Sequence, residues 1–173
     1  AACGEAGVRA AQILTSGFAE EGGEAGAAEQ DEIRAIAERY DMAVFGPNSE
    51  GFANSAAALC PTFSPAVDKT ELPLLPPWRQ DGHIAVVAQS GGMGFAFYDH
   101  GRPKELPFNY IVTTGNEACV ETLDVVDHLL DEGKTDAFIL FMEDVKRGQR
   151  LAQVAEKALR AGKPIILTKI GTS

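Results

Sequence analysis

The sequence has few cysteines and no long apolar run, and each shortage excludes a class of protein. Cys3, Cys60 and Cys119 lie far apart and form no CxxC pair, so we expect neither a disulfide framework nor a metal site, and a reducing compartment is the default. No apolar run approaches the roughly 20 residues of a membrane-spanning helix, and no secretory signal is visible. We therefore expect a cytoplasmic protein that does not bind membranes.

Basic residues are also scarce. The chain has 15 Lys and Arg against 25 Asp and Glu, a net charge of −10 over 173 residues. Such a surface repels a nucleic-acid backbone, so nucleic acid is not an expected partner. A local anion site is still possible, because backbone amides bind anions without any charged side chain. The length corresponds to one domain, or to one domain and part of another.

Short apolar segments alternate with amphipathic segments along the chain. This alternation predicts an α/β fold with parallel sheets that carry helices on both faces. The expected strands are residues 11–15, 42–45, 83–88, 110–113, 137–141 and 164–168. The expected helices are residues 27–40, 91–100, 121–132 and 151–161.

A proline-rich stretch divides this pattern. Five prolines fall between residues 60 and 82, which predicts an extended linker because proline cannot continue a helix or a central strand. We therefore predict a first unit at 1–60, a linker at 61–81 and a second unit at 82–173. The chain starts in what reads as a helix end and stops just after an apolar strand, so we expect a piece of a longer protein.

Gly, Ser, Asn or Glu follows most of the predicted strands, at the sheet edge where parallel sheets bind ligands. The clearest case is Ser90-Gly91-Gly92, where a buried strand turns into a helix. Free amides at a helix start favour a phosphate group. The alternative is an ordinary turn in which the Ser90 hydroxyl caps the helix.

Two further loops have alternative interpretations. Gly46-Pro47-Asn48-Ser49 either contacts a ligand or forms a rigid turn with an Asn side-chain hydrogen bond. Glu143 ends an apolar strand, where an ionised carboxylate is costly without a partner. It either orients an imidazole or is simply solvated. The three histidines, His83, His100 and His128, fall outside these loops, and we interpret Cys119 as a small packing residue.

Taken together, the loops resemble those of the NDP-forming acyl-CoA synthetases, the superfamily of the succinyl-CoA synthetase α subunit and the ADP-forming acetyl-CoA synthetases. Six stretches match in the order of the family across nearly the whole chain. They are residues 16–20, 46–49, 89–92, 114–117, 141–143 and 169–173.

The resemblance implies a fold and a set of roles. Residues 1–60 would be the C-terminal half of a Rossmann-like CoA-binding domain, and residues 82–173 a flavodoxin-like ligase domain. Ser90, Gly91 and Gly92 would hold a phosphohistidine that Glu143 contacts. The remaining matches would face the cofactor: Ser16, Gly17, Gly46, Pro47, Asn48 and Ser49 on the CoA side, and Gly115 and Asn116 beside them.

The activity implied by the resemblance is the synthesis of acyl-CoA from a carboxylic acid, CoA and ATP, through an acyl phosphate and a phosphohistidine. That histidine would follow the stretch ending at Ser173, so this piece alone would be inactive. An ATP-grasp domain or subunit would supply ATP or ADP with Mg, in an oligomer. One alternative is a non-catalytic sensor of acyl-CoA or nucleotide fused to an acyltransferase. Another is a flavodoxin-like binding module unrelated to CoA.

Overall fold

Helices and strands alternate as the pattern predicts. The computed structural model describes residues 1–55, 57–67 and 83–171. The helices are α1 (Ala2–Glu5), α2 (Glu24–Arg39), α3 (Gly91–Gly101), α4 (Thr122–Glu132) and α5 (Gly148–Arg160). The strands are β1 (Ala10–Gln12), β2 (Ala43–Phe45), β3 (Phe52–Asn54), β4 (Ile84–Ala88), β5 (Phe108–Thr113), β6 (Ala137–Met142) and β7 (Ile165–Lys169).

The strands form two sheets. β1 and β2 make a parallel pair connected through α2, and the other strands make a five-stranded sheet of order β3-β5-β4-β6-β7. All pairs in the larger sheet are parallel except β3 with β5, which is antiparallel. The predicted parallel α/β fold is confirmed, and β3 is an antiparallel edge strand that the sequence pattern did not indicate. β3 precedes residue 60, so the first predicted unit contributes a strand to the larger sheet.

Helices cover the larger sheet on both faces, and each face has its own apolar core. Ala85 and Val87 point to the face covered by α4 and α5, whereas Val86 points to the face covered by α3. Neighbouring residues of a strand face opposite sides of a sheet, so a strand buried on both faces reads as a continuous apolar run. This explains why the run at 83–88 correctly predicted β4.

Backbone hydrogen bonds join the segment after β2 to the segment after β5. The Gly46 amide donates to the Thr114 carbonyl (3.2 Å), and the Asn116 amide donates to the Pro47 carbonyl (2.9 Å). The Ala118 amide in turn donates to the Gly46 carbonyl (3.0 Å). These bonds hold the carboxyl ends of strands from both sheets together.

Part of the predicted linker can be described. Residues 61–67 include a short 3₁₀ turn at Pro65–Val67, while residues 68–82, with the predicted boundary near residue 81, lie outside the described residues. In the described part of the chain, no helix has the length and apolar character needed to cross a membrane.

Candidate functional site

A pocket of about 310 Å³ lies at the carboxyl ends of β1, β2, β4, β5 and β6. Eight of the predicted site residues line it: Asn48, Ser49, Ser90, Gly91, Gly92, Gly115, Asn116 and Glu143. Gly46 and Pro47 are buried next to these residues, whereas Ser16 and Gly17 are exposed and do not line the pocket. Leu14, Glu20, Glu50, Phe63 and Gln89 complete the lining. Loops far apart in the sequence therefore meet at one place.

The turn between β4 and α3 presents helix-start amides at this pocket. Ser90 has an extended backbone, and its hydroxyl makes no capping hydrogen bond to α3. Hence the alternative of an ordinary Ser90 side-chain cap does not describe this turn. A Cβ at position 91 would lie 2.5 Å from the Glu50 Cβ, so this close approach requires glycine. The first amides of a helix have no acceptor within the helix, which leaves them available to a ligand.

Glu143 lines the pocket with an exposed side chain. Its carboxylate has no hydrogen-bond or ion-pair partner among the described residues, so it is available to a group from outside them. Its backbone, in contrast, is held on both sides. The Glu143 amide donates to Gln89 Oε1 (2.6 Å), and Lys169 Nζ donates to the Glu143 carbonyl (2.9 Å).

Ser49 supports the loop from inside the protein. It is 1% exposed, and its hydroxyl donates to the Thr113 carbonyl (2.7 Å). The same oxygen accepts from the Gly51 amide and from Gln12 Nε2, each at 3.1 Å. The Ser49 hydroxyl is therefore fully used within the protein, and its contribution to the pocket is to fix the loop.

Asn116 connects the loop of Ser16 and Gly17 to the pocket. Its side-chain amide donates to Glu20 and to Gln30 Oε1 (2.9 Å), and its Oδ1 accepts from Asn48 Nδ2 (3.3 Å). Glu20 in turn accepts from the Gly17 amide at 2.6 Å. Gly17 thus reaches the pocket indirectly, through the Glu20 carboxylate.

Glu20 should make this connection sensitive to acid. Partial burial acts to raise the pKa of Glu20, but hydrogen bonds from Asn116, Gly17 and Phe18 outweigh it and hold the pKa below the ordinary 4.5. A carboxyl with a lowered folded-state pKa stabilises the fold above its unfolded pKa, and this stabilisation is lost as the pH falls through the folded value.

We therefore expect Glu20→Gln to lower the free energy of unfolding at pH 7, with the difference from wild type shrinking as the pH drops below about 4.5. Urea unfolding of both proteins between pH 7 and pH 3 measures this difference. Glu29→Gln on the exposed surface of α2 is the matched control. A difference that stays constant over this range would contradict the role assigned to the charge.

Sequence reasoning assigned no role to Gln89, which lines the pocket, or to Glu117, which accepts a hydrogen bond from it. Glu117 is only 4% exposed, and its carboxylate accepts from the Thr122 amide (2.6 Å), the Thr114 hydroxyl (3.0 Å) and Gln89 Nε2 (2.9 Å). Both residues belong to loops that the sequence singled out. Their partners lie in other loops, however, and local sequence gives no signal for those contacts.

The three histidines and Cys119 lie outside this pocket. His83, His100 and His128 do not line the pocket. Cys119 is half-buried beside a second cleft of about 800 Å³, and burial raises the pKa of its thiol, which agrees with a packing role. Among the described residues, no cluster of His, Cys, Asp and Glu could hold a metal ion.

Comparison with known proteins finds similarity over nearly the whole chain. Residues 81–173 match the succinyl-CoA ligase-like flavodoxin domain. The chain is 33% identical over 171 residues to the α subunit of ADP-forming acetate–CoA ligase II of Pyrococcus furiosus, covering 99% of this chain and 34% of that protein. It is 29% identical over 174 residues to the ADP-forming 4-hydroxybutyrate–CoA ligase of Nitrosopumilus maritimus, covering 99% and 23%.

Two solved structures are also similar to this chain over nearly its whole length. The dinucleotide-forming acetyl-CoA synthetase 1 of Candidatus Korarchaeum cryptofilum, in complex with phosphate and ADP, superposes with a TM-score of 0.81 at 32% identity, covering 98% of this chain and 34% of that one. An ATP citrate lyase of Methanothrix soehngenii shares the fold with a TM-score of 0.68 at 16% identity, covering 95% and 25%. The chain spans about a third of the length of the first curated relative.

Proposed function

This chain belongs to the NDP-forming acyl-CoA synthetases, with a succinyl-CoA ligase-like flavodoxin domain, and we propose that it is part of an enzyme that makes acyl-CoA from a carboxylic acid, CoA and ATP. One observation carries the proposal. Loops that match the family at widely separated positions converge on a single pocket at the carboxyl ends of the strands. That is where an open parallel sheet binds its ligands.

We assign the phosphoryl step to the start of α3 and to Glu143. The amides of Gly91 and Gly92 and the Ser90 hydroxyl, which does not cap α3, suit a phosphoryl anion, which the helix dipole also favours. The Glu143 carboxylate suits the imidazole that carries this group, because a nearby negative charge favours the protonated ring. The phosphohistidine splits the reaction into two easier transfers, and it is a residue other than His83, His100 and His128.

We assign the CoA side to the loops after β1 and β2. Asn48 is exposed, and Ser49 and Pro47 hold its loop against the loop after β5. Leu14 and Phe63 are 40% and 64% exposed at the pocket, which gives the reacting end an apolar wall. Residues 1–60 would then be the C-terminal half of a Rossmann-like domain that binds CoA.

The remaining components follow from the same proposal. ATP or ADP with Mg would be bound by an ATP-grasp domain or subunit, in an oligomer located in the cytoplasm. Two relatives support the use of ADP in this proposal, since one is an ADP-forming acetate–CoA ligase subunit and another was solved with phosphate and ADP. The acids in the names of three relatives are acetate, 4-hydroxybutyrate and the aromatic ferulate, so we propose a carboxylic acid as substrate without assigning its length.

Labelling of the complete enzyme tests the proposed function. We expect incubation with γ-labelled ATP to leave an acid-labile label on the protein, and ADP to discharge it. Addition of CoA and a carboxylic acid, tested as acetate, 4-hydroxybutyrate and ferulate, should then give acyl-CoA. A protein that binds CoA or acyl-CoA but takes up no label would instead support the sensor of acyl-CoA described above.

A further inference from the structure

The side-chain amide of Gln89 lies between two loops of the pocket and uses both of its ends. Its Oε1 accepts from the amides of Glu143 (2.6 Å) and Asp144 (2.9 Å). Its Nε2 donates to the Asp144 carbonyl (2.9 Å) and to Glu117 Oε2 (2.9 Å). A glutamine amide has two donor hydrogens and an oxygen with two lone pairs. These contacts therefore use its entire hydrogen-bonding capacity.

The end of Gln89 at Glu117 is firmly anchored. Glu117 is buried, and its Oε1 already accepts from the Thr122 amide (2.6 Å) and the Thr114 hydroxyl (3.0 Å). The Lys146 ammonium group also donates to the Glu117 carbonyl at 2.9 Å. Backbone amides only donate hydrogen bonds, so the oxygen of Gln89 must face the Glu143 and Asp144 amides, and its NH₂ group faces Glu117. This fixes the orientation of the amide and directs its oxygen toward Glu143.

The other end of Gln89 holds the backbone of Glu143 and leaves its side chain free. Gln89 accepts from the Glu143 amide, while Lys169 Nζ donates to the Glu143 carbonyl (2.9 Å). The Glu143 carboxylate has no partner among the described residues, and it lines the pocket. The backbone of Glu143 is therefore fixed at the edge of the pocket, and its carboxylate remains available to a ligand.

We propose that Gln89 is a positioning residue, which sets the place of the Glu143 carboxylate by linking the 143–144 turn to the buried carboxylate of Glu117. The inference rests on the proposed function, since it takes Glu143 as the residue that meets the phosphorylated imidazole. Gln89 itself acts through Glu143. Errors of about 1 Å in such placement can cost about 100-fold in rate, so the loss of Gln89 should slow the chemical step rather than weaken CoA binding.

Gln89→Met in the complete enzyme tests this, because methionine has a similar volume and makes none of these hydrogen bonds. We expect kcat to fall by about 10- to 100-fold, with the KM for CoA within about twofold of wild type. Hydrogen exchange of the Glu143 and Asp144 amides should become faster. The matched control is Asn109→Ala, which removes a buried amide bonded to Thr135 Oγ1 (2.9 Å) and the Lys134 carbonyl (3.3 Å), away from the pocket. The control should lose stability and keep its kcat.

Exchanging the two partners provides a rescue that a general structural role would not predict. Gln89→Glu alone sets two carboxylates against each other where the atoms are now 2.9 Å apart. Adding Glu117→Gln restores a donor and an acceptor between residues 89 and 117, but the Asp144 carbonyl, which accepts from Gln89 Nε2 at 2.9 Å, is left facing a carboxylate oxygen. The retained Oε1 of residue 117 still accepts from Thr114 and Thr122, and the new NH₂ group takes the position that faces residue 89. Because the bond to the Asp144 carbonyl stays lost, we expect the double variant to regain part, and not all, of the kcat that Gln89→Glu loses.

The outcomes separate the two proposals. Faster amide exchange with unchanged kcat in Gln89→Met, or no recovery in the exchanged pair, would overturn the positioning role and leave the proposed function standing. A wild-type enzyme that forms no acyl-CoA and takes up no label would overturn the proposed function, and the positioning role with it. If Gln89→Met does not fold, the exchanged pair decides the question alone.

Discussion

Replacing Gly115 with alanine is expected to destabilise the protein by about 3 kcal/mol or more. Gly115 has φ of +61°, a conformation that costs an L-residue about 1–2 kcal/mol. A Cβ there would also lie 2.2 Å from the Pro47 carbonyl oxygen and 2.6 Å from that of Asn48. Both are backbone atoms, so neither can rotate away. Relief requires the two loops to separate, at the expense of the hydrogen bond from the Asn116 amide to Pro47 (2.9 Å).

Gly133→Ala is the matched control for this prediction. Gly133 also has a positive φ, +81°, but a Cβ there would meet no atom within 4 Å. We expect the free energy of unfolding of this variant to fall only by the cost of placing alanine in a left-handed conformation, about 1–2 kcal/mol. Urea unfolding of the two variants beside wild type gives both values. Equal losses would mean that the junction between the two loops is looser than the distances require.

Gly115→Ala should also change the shape of the pocket. Gly115 and Asn48 both line it, and the loop of Asn48 is the one that the new methyl group would push away. In the proposed enzyme, Gly115→Ala should therefore weaken CoA binding even at temperatures where the protein remains folded. Gly133→Ala, which follows α4, should leave CoA binding unchanged.

Regular elements were predictable where a local pattern decides them. Leu123, Val126, Leu129 and Leu130 recur at helical spacing, and the structure buries all of them in α4. Helix starts were less accurate. α5 begins at Gly148, whereas the sequence predicted a start at residue 151. The prediction relied on regularly spaced apolar residues, and the first turn of α5 has none.

What local sequence could not predict depends on partners far along the chain. β3 is three residues long and is a strand only because β5 lies beside it. Gln89 binds Glu117 and Asp144, which are 28 and 55 residues away. The pocket itself was predictable, because the carboxyl ends of parallel strands must share one edge of a sheet. Which side chains hold one another at that edge follows only from the packed loops.

Glu143→Gln is expected to slow phosphoryl transfer in the complete enzyme by about 100-fold or more, the usual effect of removing one electrostatic contact to a reacting group. Glutamine keeps the size of the side chain and an acceptor oxygen, and it loses only the negative charge that favours a protonated imidazole. The backbone contacts to Gln89 and Lys169 do not involve the side chain, so the turn should keep its structure. CoA binding should stay within about twofold of wild type.

Rapid-quench measurement of label transfer from the phosphoenzyme to ADP gives the rate directly. The control is Glu156→Gln, which removes an exposed carboxylate that pairs with Arg160 on α5 at 2.6 Å, and it should transfer at the wild-type rate. Glu143→Asp separates charge from reach, because it keeps the charge and shortens the side chain by one methylene. If the charge is what matters, Glu143→Asp should be faster than Glu143→Gln. If the two variants are equally slow, the placement of the carboxylate matters as much as its charge. If the two variants transfer label at the wild-type rate, Glu143 has no part in the transfer.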